Sequence, residues 1–128
     1  MIYLKLSQIK AVNSPWFRCF LIHEPEVFLS QLTIPVLAIN EELDLQVSAS
    51  QNIPAIIKAL KQTGNKDYTA LILQQLNHLF QTCETGSFLE YGEIEETISP
   101  DALKVMSDWI LNKILHKNLE KTGIFGPS

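Results

Sequence analysis

The sequence predicts an α/β fold built on two parallel strands with flanking helices. Two short apolar runs, about 34–39 and 69–74, contain β-branched residues and lack polar alternation, as strands buried on both faces do. Between them, Ile53, Ile56, Ile57 and Leu60 recur at helical spacing. Strand, helix and strand in this order form a βαβ unit, which a right-handed crossover closes into a parallel pair. Pro and Ser pairs mark the starts of two further helices. Apolar residues make up 46% of the 128 residues and charged residues 19%, which excludes a disordered chain and fits one domain.

The elements follow in order. The opening MIYLKLSQIKAV is ambiguous, because Ile2, Leu4 and Leu6 alternate like a strand while Leu6, Ile9 and Val12 recur like a helix. Lys5 and Lys10 interrupt its apolar pattern, which makes it a poor signal peptide. A cytoplasmic chain is expected as given, although a longer parent protein could be secreted. Asn13-Ser14-Pro15 opens a helix over 15–22 with an aromatic face of Trp16, Phe17 and Phe20. A short turn follows from Glu24-Pro25, so residues 1–32 read as a helical segment. Residues 33–122 read as a βαβα portion of the same single domain. Its middle helix, 51–63, starts between Ser50 and Pro54 and stops at Gly64. Its last helix, 100–117, opens at Ser99-Pro100 and carries Leu103, Met106, Trp109, Ile110 and Ile114 along one side. Residues 123–128 are a frayed tail.

Charge and length exclude several functions. A net charge of −4 provides no attraction for nucleic acid or an anionic membrane. No run of about 18 apolar residues is present to span a bilayer. Cys19 and Cys83 match no metal or redox spacing and read as reduced, partly buried thiols. Two parallel strands are too few for an independent sheet, since both edges would be open and apolar. The missing strands belong either to further polypeptide or to a partner, including a second copy.

Chemistry gathers beyond the carboxyl ends of strands in such sheets. Asp44 lies five residues past Ile39, and His78 five past Leu73. Neighbouring strands stand about 4.8 Å apart, so short loops bring the two within reach. An aspartate that accepts from one ring nitrogen leaves the other free to take a proton from a nucleophile. The plainer alternative is that Asp44 caps the following helix region and His78 is a loop histidine. Cys83, five residues past His78, would make a Cys–His couple but lacks a third orienting group, so it reads as a loop or core thiol. Asp44, His78 and Cys83 fit no zinc spacing, and no metal or cofactor is expected. His23 and His116 stand alone. The acidic run Glu90–Glu96 reads as a solvated face. Trp16, Phe17 and Phe20 read as packing residues, with a pocket or cap role as the second choice.

Several stretches carry a likeness: SPWFRCFL (14–21), the Glu24-Pro25 pair, IPVLAINEELDLQV (34–47), LNHLFQ (76–81) and EYGEIEETISPDAL (90–103). Together they resemble the carboxyl-terminal half of α/β-hydrolase-fold serine hydrolases, in the branch of dienelactone hydrolases and serine aminopeptidase-like esterases. The first strand there reads P-V-L-A-L-N-G-x-x-D-x-Q-V, and N-H-x-F-Q follows the second. The resemblance implies a partial α/β-hydrolase fold with a cap-like segment over 1–32. It implies Asp44 as triad acid, His78 as triad base and small esters as substrates of the complete enzyme. Two departures stand out. Glu41 replaces the glycine after Asn40, and no G-x-S-x-G elbow occurs, so neither the nucleophile nor its oxyanion donors are present. The expectation is an esterase-like portion that is inactive alone. The alternative is a non-catalytic remnant that pairs with a second copy or a partner through its sheet edges.

Overall fold

The computed structural model describes residues 14–122, and the ambiguous opening stretch and the tail lie outside them. Six elements follow one another: α1 (Pro15–Ile22), α2 (Pro25–Leu29), β1 (Val36–Glu41), α3 (Ala49–Gln62), β2 (Tyr68–Leu73) and α4 (Pro100–Thr122). The strands pair in parallel, from Val36 opposite Tyr68 to Glu41 opposite Leu73. Asn52 of α3 donates to Asn40 on one face of the pair at 2.7 Å. Trp109 of α4 donates through Nε1 to Thr69 Oγ1 at 3.0 Å. Lys113, which pairs with Asp67, lies 5.6 Å from the Trp109 ring centroid. Among the described residues the arrangement is therefore mixed α/β with one two-stranded parallel sheet.

Local chemistry explains the boundaries. Ser14 Oγ accepts the Phe17 N–H at 3.2 Å, and Pro15 takes the first helical position of α1, where no N–H is needed. At the other end of α3, Gly64 adopts φ +73°. The Gly64 N–H bonds the Lys61 carbonyl and the Asn65 N–H bonds the Leu60 carbonyl, which is a Schellman closure. Asn65 then joins the starts of both strands. Its Nδ2 donates to the carbonyls of Leu32 (2.9 Å) and Ile34 (3.0 Å), while its Oδ1 accepts the Asp67 N–H at 2.9 Å.

Several expected boundaries move. β1 begins at Val36 rather than Ile34, because Pro35 has no N–H to give the ladder and Asn65 holds the Ile34 carbonyl. It runs on through Asn40 and Glu41, two polar residues that a purely apolar criterion leaves outside. β2 begins at Tyr68 and stops before Gln74. α3 starts two residues early, with Ser48 as N-cap instead of Ser50, and Pro54 lies inside the helix. α4 continues to Thr122. Its expected apolar side is covered only in part: Met106 and Trp109 are half-buried, whereas Leu103, Ile110 and Ile114 are exposed, as are Leu111 and Leu115 elsewhere on the helix. The buried apolar residues are mostly small, with Ile53, Leu60 and Leu76 as the larger members, and polar Asn40 and Asn77 are buried beside them.

Candidate active site

Asp44 and His78 meet beyond the carboxyl ends of β1 and β2. His78 Nδ1 lies 2.9 Å from Asp44 Oδ2. The other carboxylate oxygen, Oδ1, accepts the backbone N–H of Gln46 (2.8 Å) and of Val47 (2.9 Å). Asp44 thus does both things that the sequence left open, since it builds the turn into α3 and holds the ring. Its side chain is only 2% exposed, whereas that of His78 is 36% exposed. Burial by itself pushes the Asp44 carboxyl up. The His78 ring and the N–H groups of Val47 and Gln46 outweigh it and hold Asp44 below its ordinary value. A neutral ring that donates Nδ1–H to the carboxylate would keep Nε2 as its acceptor. Among the described residues no hydroxyl or thiol is hydrogen-bonded to the ring.

Two loops hold this geometry. In the acid loop, Asn40 Nδ2 donates to the Val47 carbonyl at 3.1 Å, which returns the chain to the strand end. The histidine loop folds around Asn77, which is fully buried. Asn77 Oδ1 accepts the N–H of Leu79 (2.9 Å) and Gln81 (3.1 Å), and its Nδ2 donates to Gln81 Oε1 at 3.0 Å. Phe80 takes φ +59° at the tip, and a bridge between Leu76 and Thr82 closes the base. The Leu43 N–H bonds the Leu76 carbonyl at 3.1 Å and ties the two loops together. Gly86 secures them from behind: it has φ +72°, and a Cβ there would stand 2.0 Å from the Leu43 carbonyl oxygen. Only glycine fits that position.

The remaining candidates resolve individually. Cys83 is buried, as expected of a core thiol, whereas Cys19 is exposed. Burial pushes the Cys83 thiol up, against a hydrogen bond from the Gly86 N–H, which disfavours the thiolate, and among the described residues no hydrogen bond joins Cys83 to His78. Among the described residues no group of three or more His, Cys, Asp or Glu is placed to hold a metal ion. The Glu90–Glu96 run is not merely a solvated face. Glu90 accepts from the Thr85 hydroxyl at 2.7 Å, and Glu96 accepts the Thr82 N–H while its carbonyl accepts from Gln81. A cleft of about 330 Å³ beside Asp44 is lined by Glu42, Ser48, Ala49, Ser50, Ile72 and Gln74. Trp16 and Phe17 do not line it; Trp16 is 72% exposed, and their rings lie 6.3 Å apart. The Phe20 side chain lies outside the described set. His23 stacks on Phe28 at 4.9 Å. His116 is exposed and lines a separate cleft with Ile34, Trp109 and Ile114.

Sequence reasoning missed Glu41, Asn40 and Asn77 as parts of the site. The signals available were their places in the quoted motifs: Asn40 in IPVLAINEELDLQV, Glu41 where the resembled family has glycine, and Asn77 directly before His78. Among the described residues no helix is long and apolar enough to cross a membrane. Comparison with known proteins finds no matching family model, curated protein or solved structure.

Proposed function

We propose that Asp44 and His78 are the acid and base of a Ser–His–Asp hydrolase site whose serine comes from polypeptide outside these residues. The observation that carries this reading is the 2.9 Å contact between a buried carboxylate and a half-exposed imidazole. The order acid then histidine, each past a parallel strand, supports an α/β-hydrolase origin, as does the likeness in IPVLAINEELDLQV and LNHLFQ. In this scheme Asp44 fixes the Nδ1–H tautomer, and Nε2 takes the serine proton as the hydroxyl attacks an ester carbonyl. The imidazolium then returns that proton to the leaving alcohol, which leaves an acyl-enzyme for water to open.

Alone, the chain is expected to hydrolyse no short-chain aryl ester and to take no label from a fluorophosphonate. Joined to an amino-terminal α/β-hydrolase half that carries a G-x-S-x-G elbow, it should gain both properties. His78→Ala should then cut the hydrolysis rate by roughly 10⁶-fold. An assembled esterase that keeps its rate in His78→Ala overturns the assignment.

A second reading has its own observation. Each strand of the sheet has one edge without a partner among the described residues, and Ile34, Leu71, Ile72, Ile110 and Ile114 are exposed nearby. Such edges are templates for pairing, so a binding remnant would close them with a second copy or a partner chain.

A further inference from the structure

Among the described residues the half-exposed His78 ring is held by a hydrogen bond to Asp44 alone. The direction in which the ring leaves the chain must therefore come from the backbone that carries it. Asn77, the residue before, builds that backbone. Its Oδ1 accepts the Leu79 N–H at 2.9 Å, and its main-chain carbonyl accepts the Phe80 N–H at 2.8 Å. His78 is an inner residue of both turns, so Asn77 sets the direction of its Cα–Cβ bond. Gln81 then clasps Asn77 with backbone and side chain together. The Gln81 N–H donates to Asn77 Oδ1 (3.1 Å), its carbonyl accepts the Asn77 N–H (3.0 Å), and its Oε1 accepts from Asn77 Nδ2 (3.0 Å). The far end of the Gln81 amide, Nε2, donates to the Glu96 carbonyl at 2.8 Å. Both residues are buried.

The polarity of this run of amides is fixed. Backbone N–H groups only donate, so the end of Asn77 that meets Leu79 and Gln81 is its oxygen. The Asn77 nitrogen then faces Gln81 Oε1, and the Gln81 nitrogen faces the Glu96 carbonyl, which only accepts. Neither amide can turn over without setting donor against donor and acceptor against acceptor in a buried place. We propose that Asn77 and Gln81 are positioning residues of the Asp44–His78 site: an amide relay, anchored on the Glu96 carbonyl, that holds His78 Nδ1 on Asp44. The backbone bond from Leu43 to Leu76 sets the distance between the two loops, whereas the relay sets the heading of the ring. The anchor is itself tied to the histidine loop, since the Glu96 carboxylate accepts the Thr82 N–H and the Ser99 N–H donates to the Phe80 carbonyl. Only the consequence for catalysis rests on the hydrolase reading, since the orientation of the ring belongs to the chain itself.

The test reads the ring nitrogens of His78 by NMR in the 128-residue chain, at a pH where the ring is neutral. The wild-type ring should show a single tautomer, protonated at Nδ1. Gln81→Met keeps the reach of the side chain and removes both amide contacts. Its His78 ring should lose the single signature and average between the tautomers, while the backbone amide spectrum keeps its pattern. If that variant fails to fold, Asn77→Asp takes its place. It keeps the acceptor for Leu79 and Gln81 and removes the donor to Gln81 Oε1, and the same loss is expected. An unchanged Nδ1–H signature in the folded variant overturns the proposal. In an assembled esterase Gln81→Met should lower kcat about 100-fold with KM unchanged, as misplacement of a reacting group does. A raised KM with kcat unchanged overturns the positioning role. A failed esterase assembly leaves the tautomer result standing, and an active esterase whose Gln81→Met ring is unchanged overturns this inference alone.

Discussion

Asp44 and Glu41 stand three residues apart, and the fold treats them in opposite ways. Donors surround Asp44 and hold its carboxyl below the ordinary 3.8, so it contributes stability that is present above that value. That contribution is lost as pH falls through the depressed value. Glu41 is raised from the ordinary 4.5, so its contribution is present at low pH and is lost as pH rises through the raised value. Urea unfolding across pH should show stability falling on acidification below about pH 4, and Asp44→Asn should flatten that limb. At neutral pH Asp44→Asn should cost ~1–3 kcal/mol, because a buried amide cannot replace three acceptor contacts. The pairing of Asp44 with His78 was legible because strand ends set their positions. The role of Asn77 was not, since its partners are fixed by a loop conformation with φ +59° at Phe80 that local sequence does not announce.

At the scale of elements, helix ends were easier to read than strand ends. Ser14-Pro15 and Gly64 act through local backbone chemistry, so their effect is visible in the sequence itself. A strand ends where its ladder partner ends, and β1 continues through Asn40 and Glu41 because Ile72 and Leu73 lie opposite. The stripe on α4 misled for a related reason, since periodicity marks a face that can be buried without saying what covers it. Gly86 packs closely against Leu43 and braces the acid loop from behind. Gly86→Ala should destabilise the chain by at least ~2 kcal/mol, through strain at positive φ and a clash with backbone. Thermal unfolding measures this, and an unchanged midpoint would contradict the packing described.

The whole molecule has an unfinished look in physical terms. Phe88 and Leu89 are each 74% exposed, and neither face of β2 is fully covered. The two parallel strands were legible from the sequence, but the exposure on α4 was not. Sedimentation at rising concentration should show a mass above that of one chain if the sheet-edge reading holds. A monomer throughout the range would remove that reading and leave the catalytic one untouched.

The clasp at Asn65 also governs how the chain reaches this state. Its Nδ2 holds carbonyls 33 and 31 residues earlier in the sequence, so the sheet closes only after a long loop has been brought together. Among the described residues neither strand has a hairpin neighbour to pair with early, and loop closure comes before any ladder bond rewards it. During synthesis β1 must wait, apolar and single, until β2 has left the ribosome. Asn65 then acts as a latch on that delayed event, and an apolar strand without its partner is open to misassembly in the interval before it closes.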